Sequence, residues 1–217
     1  GKVKDYQLKD EEGPINIYLL PFIKPANVRA IYQDEKIESY DDALKAVIKN
    51  IDLDKTRRNI LVTHQFITGA VRSDSEDIFV GGLDNINAEV FKDFDYVALG
   101  HIHRPQNIKK DSIRYCGSPL KYSFSEAKYD KSVTVIELGK KGDLNISTVP
   151  LIPEHDMKEI KGTYAELTDK NFYKDTDYQN DYLHITLTDE EEVSEAIGKL
   201  RSVYPYLMKL DYDNQRT

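Results

Sequence analysis

Short apolar runs with the length and β-branched content of buried strands recur along the chain. Ile15 to Pro21 is the first, and Ile60-Leu61-Val62 within Arg58 to His64 the second. Tyr96 to Leu99, Ile113 to Cys116, Tyr182 to Leu187 and Leu207 to Tyr212 follow. Between the first two runs the period changes from two to 3.6. Ala43, Leu44, Val47, Ile48 and Ile51 form an apolar stripe, Ser39 stands where a cap is needed, and Asp41 and Asp42 suit the positive end of a helix dipole. Strand, helix and strand in this order predict a βαβ crossover and a layered α/β domain. A short helical turn is expected at Ala88–Phe91. Lys131–Leu138 and Asp143–Leu151 alternate across Gly139 to Gly142 as a hairpin that would extend the same sheet.

Composition shifts near Pro150 and Pro153, which divides the chain into residues 1–150 and 151–217. The second part opens on a polar stretch. A strand at Tyr182–Leu187, a helix from Asp189 to Val203 and a strand at Leu207–Tyr212 then make a small β-α-β module. Asp189 and Glu190 to Glu192 load the start of that helix with negative charge, and Val193, Ala196, Ile197 and Leu200 are its expected buried stripe.

Length and charge narrow the classes. At 217 residues the chain has ample core for one large domain or for a medium one with a small companion. The longest apolar run, Ile15 to Phe22, contains Asn16 and Pro21 and is far short of the ~20 residues a spanning helix needs, so no membrane partner is expected. One cysteine, Cys116, cannot form an internal disulfide; it reads as a small core residue in a cytoplasmic protein. Of the net charge of −8, residues 151–217 supply −7. This is not the profile of a basic nucleic-acid-binding chain, and contacts to DNA would need local patches, metal ions or a partner subunit. The acidic module reads first as a solvated face.

The candidate chemistry sits in Gly100-His101-Ile102-His103. A buried strand runs into a glycine and then presents two imidazoles two residues apart, which in extended backbone project to one side. Arg58 to His64 repeats the design, an apolar run closing on a histidine at its carboxyl end. Three of the five histidines therefore stand at the carboxyl ends of two predicted strands, where open α/β sheets place their sites. Neutral imidazole is a common ligand of divalent transition metals, so His64, His101 and His103 are the candidate metal ligands. Arg104 beside them could contact a phosphate or close a surface salt bridge. His155 and His184 read as structural or exposed. Tyr115, Tyr122, Phe124 and Tyr129 gather around the turn after the site, where loop packing is the simpler role than stacking on a nucleobase. Ile67 to Asn87, with Gly69, Gly81, Gly82 and several carboxylates, reads as a long irregular segment of the kind that is usually functional or mobile.

Val62-Thr63-His64, Gly82-Leu83-Asp84, Tyr96 to Gln106 and Arg114 to Pro119, in this order and spacing, resemble the carboxyl-terminal half of the SbcD family of bacterial nuclease subunits, which are calcineurin-like metallophosphoesterases. The resemblance spans nearly the whole chain, the module after Pro153 being similar to the family's capping domain. It implies a four-layered αββα sandwich and a DNA exonuclease and hairpin endonuclease that works with two divalent ions, usually manganese. It also implies an SMC-like ATPase partner, SbcC. By position, His64 and His101 resemble the ligands of one metal and His103 a ligand of the other. No residue matches the family's general acid, and the Asp-x-His, Gly-Asp-x-x-Asp and Gly-Asn-His-Asp motifs that supply the remaining ligands do not occur before His64.

Three imidazoles shared between two ions leave each ion mostly to water and without a bridging carboxylate. The chain is therefore read as a fragment that is inert by itself, whose exposed strand edges invite a homodimer. Two other readings are a phosphatase or nucleotidase of the same superfamily and a non-catalytic interaction module of the same fold.

Overall fold

The computed structural model describes residues 3–76 and 85–214. The Gly82-Leu83-Asp84 motif and the middle of the long loop lie outside the described residues. Contacts divide the chain into two compact units. One takes the residues up to Pro119 together with Lys131–Pro150, and the other takes Leu120–Asp130 with the stretch from Leu151 onward.

The first unit is built on a six-stranded sheet. β1 (Lys4–Asp10) and β2 (Gly13–Leu20) form an antiparallel hairpin, α1 (Pro25–Ile31) and α2 (Tyr40–Lys49) follow, and β3 (Arg58–His64) returns parallel to β2. β4 (Tyr96–Gly100), β5 (Gln106–Ile108) and β6 (Lys110–Tyr115) complete it in the order β1-β2-β3-β4-β6-β5. The four central strands, β2, β3, β4 and β6, are mutually parallel, so their carboxyl ends open on the same edge. The βαβ crossover read from the sequence is present.

α2 forms where its sequence dictates. Ser39 Oγ accepts from the Asp42 amide at 3.1 Å and Asp42 Oδ2 accepts from the Ser39 amide at 3.0 Å, a reciprocal cap. Ala43, Leu44, Ala46 and Val47 are buried beneath it with Tyr18, Leu20, Leu61 and Val97 of the sheet. α1 is hidden in the sequence by the prolines that follow the strand. Pro25 occupies the first turn of a new helix, where its missing N–H costs nothing. β1 is equally hidden, since all seven residues are exposed and the strand carries no apolar pattern. It is a sheet edge furnished with Lys4, Asp5, Lys9 and Asp10, charges that discourage further strand pairing.

The predicted hairpin forms from β7 (Ser132–Leu138) and β8 (Leu144–Pro150), with Ser132 opposite Pro150 and Leu138 opposite Leu144. It does not extend the main sheet but stands as a two-stranded sheet of its own. Arg58, at the start of β3, ties it in. This guanidinium is 2 % exposed; it donates to both carboxylate oxygens of Asp10, to the Gly13 carbonyl at 2.7 Å and to the Leu138 and Gly139 carbonyls, each at 3.1 Å.

The second unit is a parallel three-stranded sheet, β11-β10-β9, of β9 (Met157–Gly162), β10 (Tyr182–Leu187) and β11 (Leu207–Tyr212). α3 (Tyr164–Thr168), α4 (Lys170–Tyr173) and α5 (Ala196–Arg201) cross between the strands. Leu167, Leu183, Ile185, Leu187, Leu200 and Tyr204 are fully buried in its core. Tyr204 donates its hydroxyl to the Leu167 carbonyl, and burial pushes that phenol up to about 12. The helix expected over Asp189–Val203 shortens to six residues. Asp189 accepts the Tyr164 amide at 2.7 Å instead of capping a helix, and Glu195 stands at φ 54, which breaks the helical path just before Ala196. Ile197, placed on the buried stripe from sequence, is 49 % exposed. No helix among the described residues is long and apolar enough to cross a membrane.

Ser39→Ala removes one half of the α2 cap and should cost about 1 kcal/mol in a urea unfolding titration, with the m-value unchanged. The Arg58 hydrogen bonds hold the Asp10 carboxyl below its usual 3.8, so the stabilisation from this pair is complete above that value and is lost as pH falls through the lower folded-state one. Acid melts should therefore show a steeper loss of stability below pH 3.8 in the wild type than in Asp10→Asn.

Candidate metal centre

The site is assembled on the edge where the parallel strands end. His64 is the last residue of β3 and lies opposite Gly100, the last residue of β4. Glycine is required there by a contact, because a Cβ at position 100 would stand 2.6 Å from His64 Nδ1. The next residue, His101, adopts φ 96, a backbone conformation that only glycine adopts without strain. The turn swings the His101 ring to within 5.3 Å of the His64 ring, centroid to centroid, at an interplanar angle of 81°. Phe22, just beyond β2, stacks on the His101 imidazole at 5.9 Å and 14°. Three successive strand ends thus contribute one ring each.

The loop beyond His64 is held from beneath by β6. The Tyr115 hydroxyl donates to the Gln65 carbonyl at 2.7 Å and accepts the Ile67 amide at 2.9 Å, while the Gln65 side chain donates to the Pro21 carbonyl at 2.9 Å. Tyr115, grouped by sequence with the loop aromatics, is fully buried, and burial pushes its phenol well above the usual range. The register explains the difference, since Tyr115 is the last inward position of β6. Cys116 then faces outward and is exposed, not the small core residue expected from its type. Tyr122 is exposed, and the Phe124 ring lies 5.3 Å from His184.

His103 is held by different partners. Because the chain turns at His101, the alternation that would place both imidazoles on one side does not continue past Gly100. Ser75 Oγ lies 2.8 Å from His103 Nδ1, and the buried Glu76 carboxylate accepts the His103 amide at 2.5 Å. The His103 carbonyl accepts from Lys131 Nζ at 2.9 Å and from the Ser118 amide at 3.1 Å. Gly117, at φ 81, lets these segments approach, for a Cβ there would meet the same carbonyl at 2.7 Å. Ser75, Glu76, Phe22 and Lys131 carried no signal of their own in the sequence beyond the carboxylate-rich character of the loop. Arg104 is half-buried beside His103.

His64 and His101 are close enough for one ring nitrogen of each to reach a common ion at the ~2.0–2.1 Å of a metal–imidazole bond. Two imidazoles fit part of a transition-metal ligand set. Among the described residues no group of three or more His, Cys, Asp and Glu side chains gathers around one point. The other two histidines have hydrogen-bond partners in the second unit. His155 bonds the Asn180 carbonyl at 2.6 Å, and His184 lies between Glu159 at 3.0 Å and Asp211 at 2.8 Å.

Gly100→Ala should displace the His64 ring. The expected result is a shift of the His64 and His101 side-chain NMR signals with those of His155 and His184 unmoved, and a loss of stability of about 1–3 kcal/mol.

Residues 153–217 match the family model SbcD_C, described as the Type 5 capsule protein repressor C-terminal domain. The chain is similar to the SbcD subunit of the nuclease SbcCD from Staphylococcus epidermidis, 32 % identical over 212 residues that make up 94 % of this chain and 56 % of the relative. It is also similar to the SbcD subunit of the nuclease SbcCD from Staphylococcus saprophyticus subsp. saprophyticus, 30 % identical over 201 residues, 91 % of this chain and 53 % of the relative. The chain thus spans about half the length of the curated relatives it matches. The resemblance read from the sequence is shown by these homologues and by the carboxyl-terminal domain.

Proposed function

We propose that this chain is the carboxyl-terminal portion of an SbcD-type nuclease subunit and carries part of a two-metal phosphodiesterase centre at the ends of β3 and β4. The observation that supports this most is the convergence of His64 and His101, at 5.3 Å, on the carboxyl edge of a parallel sheet in a chain similar over nearly its whole length to named nuclease subunits. In this reading the six-stranded sheet and the β7–β8 hairpin belong to a larger αββα sandwich, with the second unit as its cap.

His64 and His101 would hold one divalent ion and His103 would help hold another, manganese being the expected metal. When bound, such ions clamp a phosphate, lower the pKa of a bound water and stabilise the leaving oxygen. The chain's own residues keep the ligands in place. Gly100 leaves room for the His64 ring, and Phe22 covers one face of the His101 ring. Arg104 offers a forked donor to a phosphate of the DNA. The SbcC ATPase is the expected partner and the source of ATP dependence. In this reading the remaining ligands come from outside the 217 residues, so the chain alone is expected to be inert.

Manganese-dependent cleavage of linear and hairpin DNA tests the reading. The 217-residue chain should not cut, whereas a protein extended through the amino-terminal half of its relatives should, and His64→Ala or His101→Ala in that protein should lower the rate by at least ~10²-fold. Activity that survives His101→Ala would remove the two-metal reading.

A further inference from the structure

Apart from the paired imidazoles, the described start of the loop between β3 and β4, residues 71–76, is built around a functional side chain. This segment is fastened to residues 103–106 by two independent sets of hydrogen bonds. Gln106 grips the Val71 backbone from both sides, its Oε1 accepting the Val71 amide and its Nε2 donating to the Val71 carbonyl, each at 2.8 Å. Two residues after that anchor begins a turn in which the Glu76 amide donates to the Ser73 carbonyl at 3.2 Å, and the Glu76 carboxylate accepts the Ser73 amide at 3.2 Å. Its other oxygen takes the His103 amide at 2.5 Å, and Ser75 Oγ stands 2.8 Å from His103 Nδ1. Glu76 is 8 % exposed, so its carboxylate is committed to these amides and not to solvent.

An imidazole that ligates a metal through one nitrogen characteristically donates the other N–H to an oxygen, which fixes both tautomer and ring orientation. Ser75 occupies the place of that oxygen. Resting on the reading of His103 as a metal ligand, we propose that Ser75 and Glu76 are positioning residues. Glu76 fixes the His103 backbone, and Ser75 accepts the Nδ1 proton, which makes Nε2 the nitrogen that takes the metal. The functional histidine is in this view set by a loop far from it in sequence, and neither residue touches the reacting atoms.

Long-range proton–nitrogen correlation of the histidine rings, recorded on the 217-residue chain without metal and above the imidazole titration range, reads the tautomer directly. His103 should carry its proton on Nδ1 in the wild type, move it to Nε2 in Ser75→Ala and recover it in Ser75→Thr. In the extended protein, Ser75→Ala should weaken binding of manganese alone by ~10–100-fold, with Ser75→Thr close to wild type. A wild-type His103 protonated on Nε2, or a tautomer that Ser75→Ala leaves unchanged, overturns the positioning role whatever the metal does. Manganese affinity unchanged by His103→Ala overturns the metal reading itself, and with it the purpose assigned to Ser75.

Discussion

The buried guanidinium of Arg58 is the constraint on which the first unit's arrangement depends. A cation removed from water must have its donors satisfied, and here an Asp10 carboxylate and three backbone carbonyls satisfy them. Those partners come from the end of β1, the start of β2 and the turn of the β7–β8 hairpin, segments 45 to 81 residues away from Arg58 in sequence. Every one of them must arrive before the charge is compensated, so the main sheet and the hairpin are coupled through one side chain. The register of β3 against β2 is set at the same point, Arg58 facing Ile15, and that register places His64 six residues later at the sheet's carboxyl edge.

From there the site is a consequence of parallel topology. β2, β3, β4 and β6 all deliver their last residues to one edge, and each contributes something different. β2 leads to the Pro21 carbonyl and the Phe22 ring, β3 ends in one imidazole, β4 ends in a glycine that makes room for it, and β6 closes on the tyrosine that pins the loop beyond. The left-handed backbone at His101 is the cost of bringing two imidazoles face to edge on adjacent strands, about 1–3 kcal/mol that the surrounding packing must offset.

What the sequence disclosed and what it hid divide along physical lines. The elements with a buried face, α2, β3, β4 and β10, were legible because apolar period and capping residues agree there, and the β7–β8 hairpin by its alternation across a glycine-bounded turn. β1 has no buried face and α1 begins on a proline, so neither left a pattern. α5 is shorter than its sequence suggests because acidic residues near a helix start look the same whether they cap it or, as Asp189 does, serve a neighbouring segment. The histidines announced themselves by position at strand ends. Their supports did not, because Ser75 and Glu76 reach His103 across 28 and 27 residues, and a contact of that separation has no signature in a single sequence.

Charge sets a further condition on the proposed activity. Nearly all of the net negative charge, −7 of −8, lies beyond residue 150, and four lysines of the second unit are paired with its own carboxylates: Lys121 and Lys158 with Asp156, Lys161 with Asp213, Lys209 with Asp211. Binding to a duplex draws much of its free energy from cations that displace counterions from phosphates, and in this unit carboxylates outnumber cations. A nuclease built on this chain would therefore take its hold on DNA from local basic patches, from metal ions or from a partner subunit. The acidic unit repels a nucleic-acid backbone that approaches it, and rising salt weakens that repulsion along with the binding it opposes.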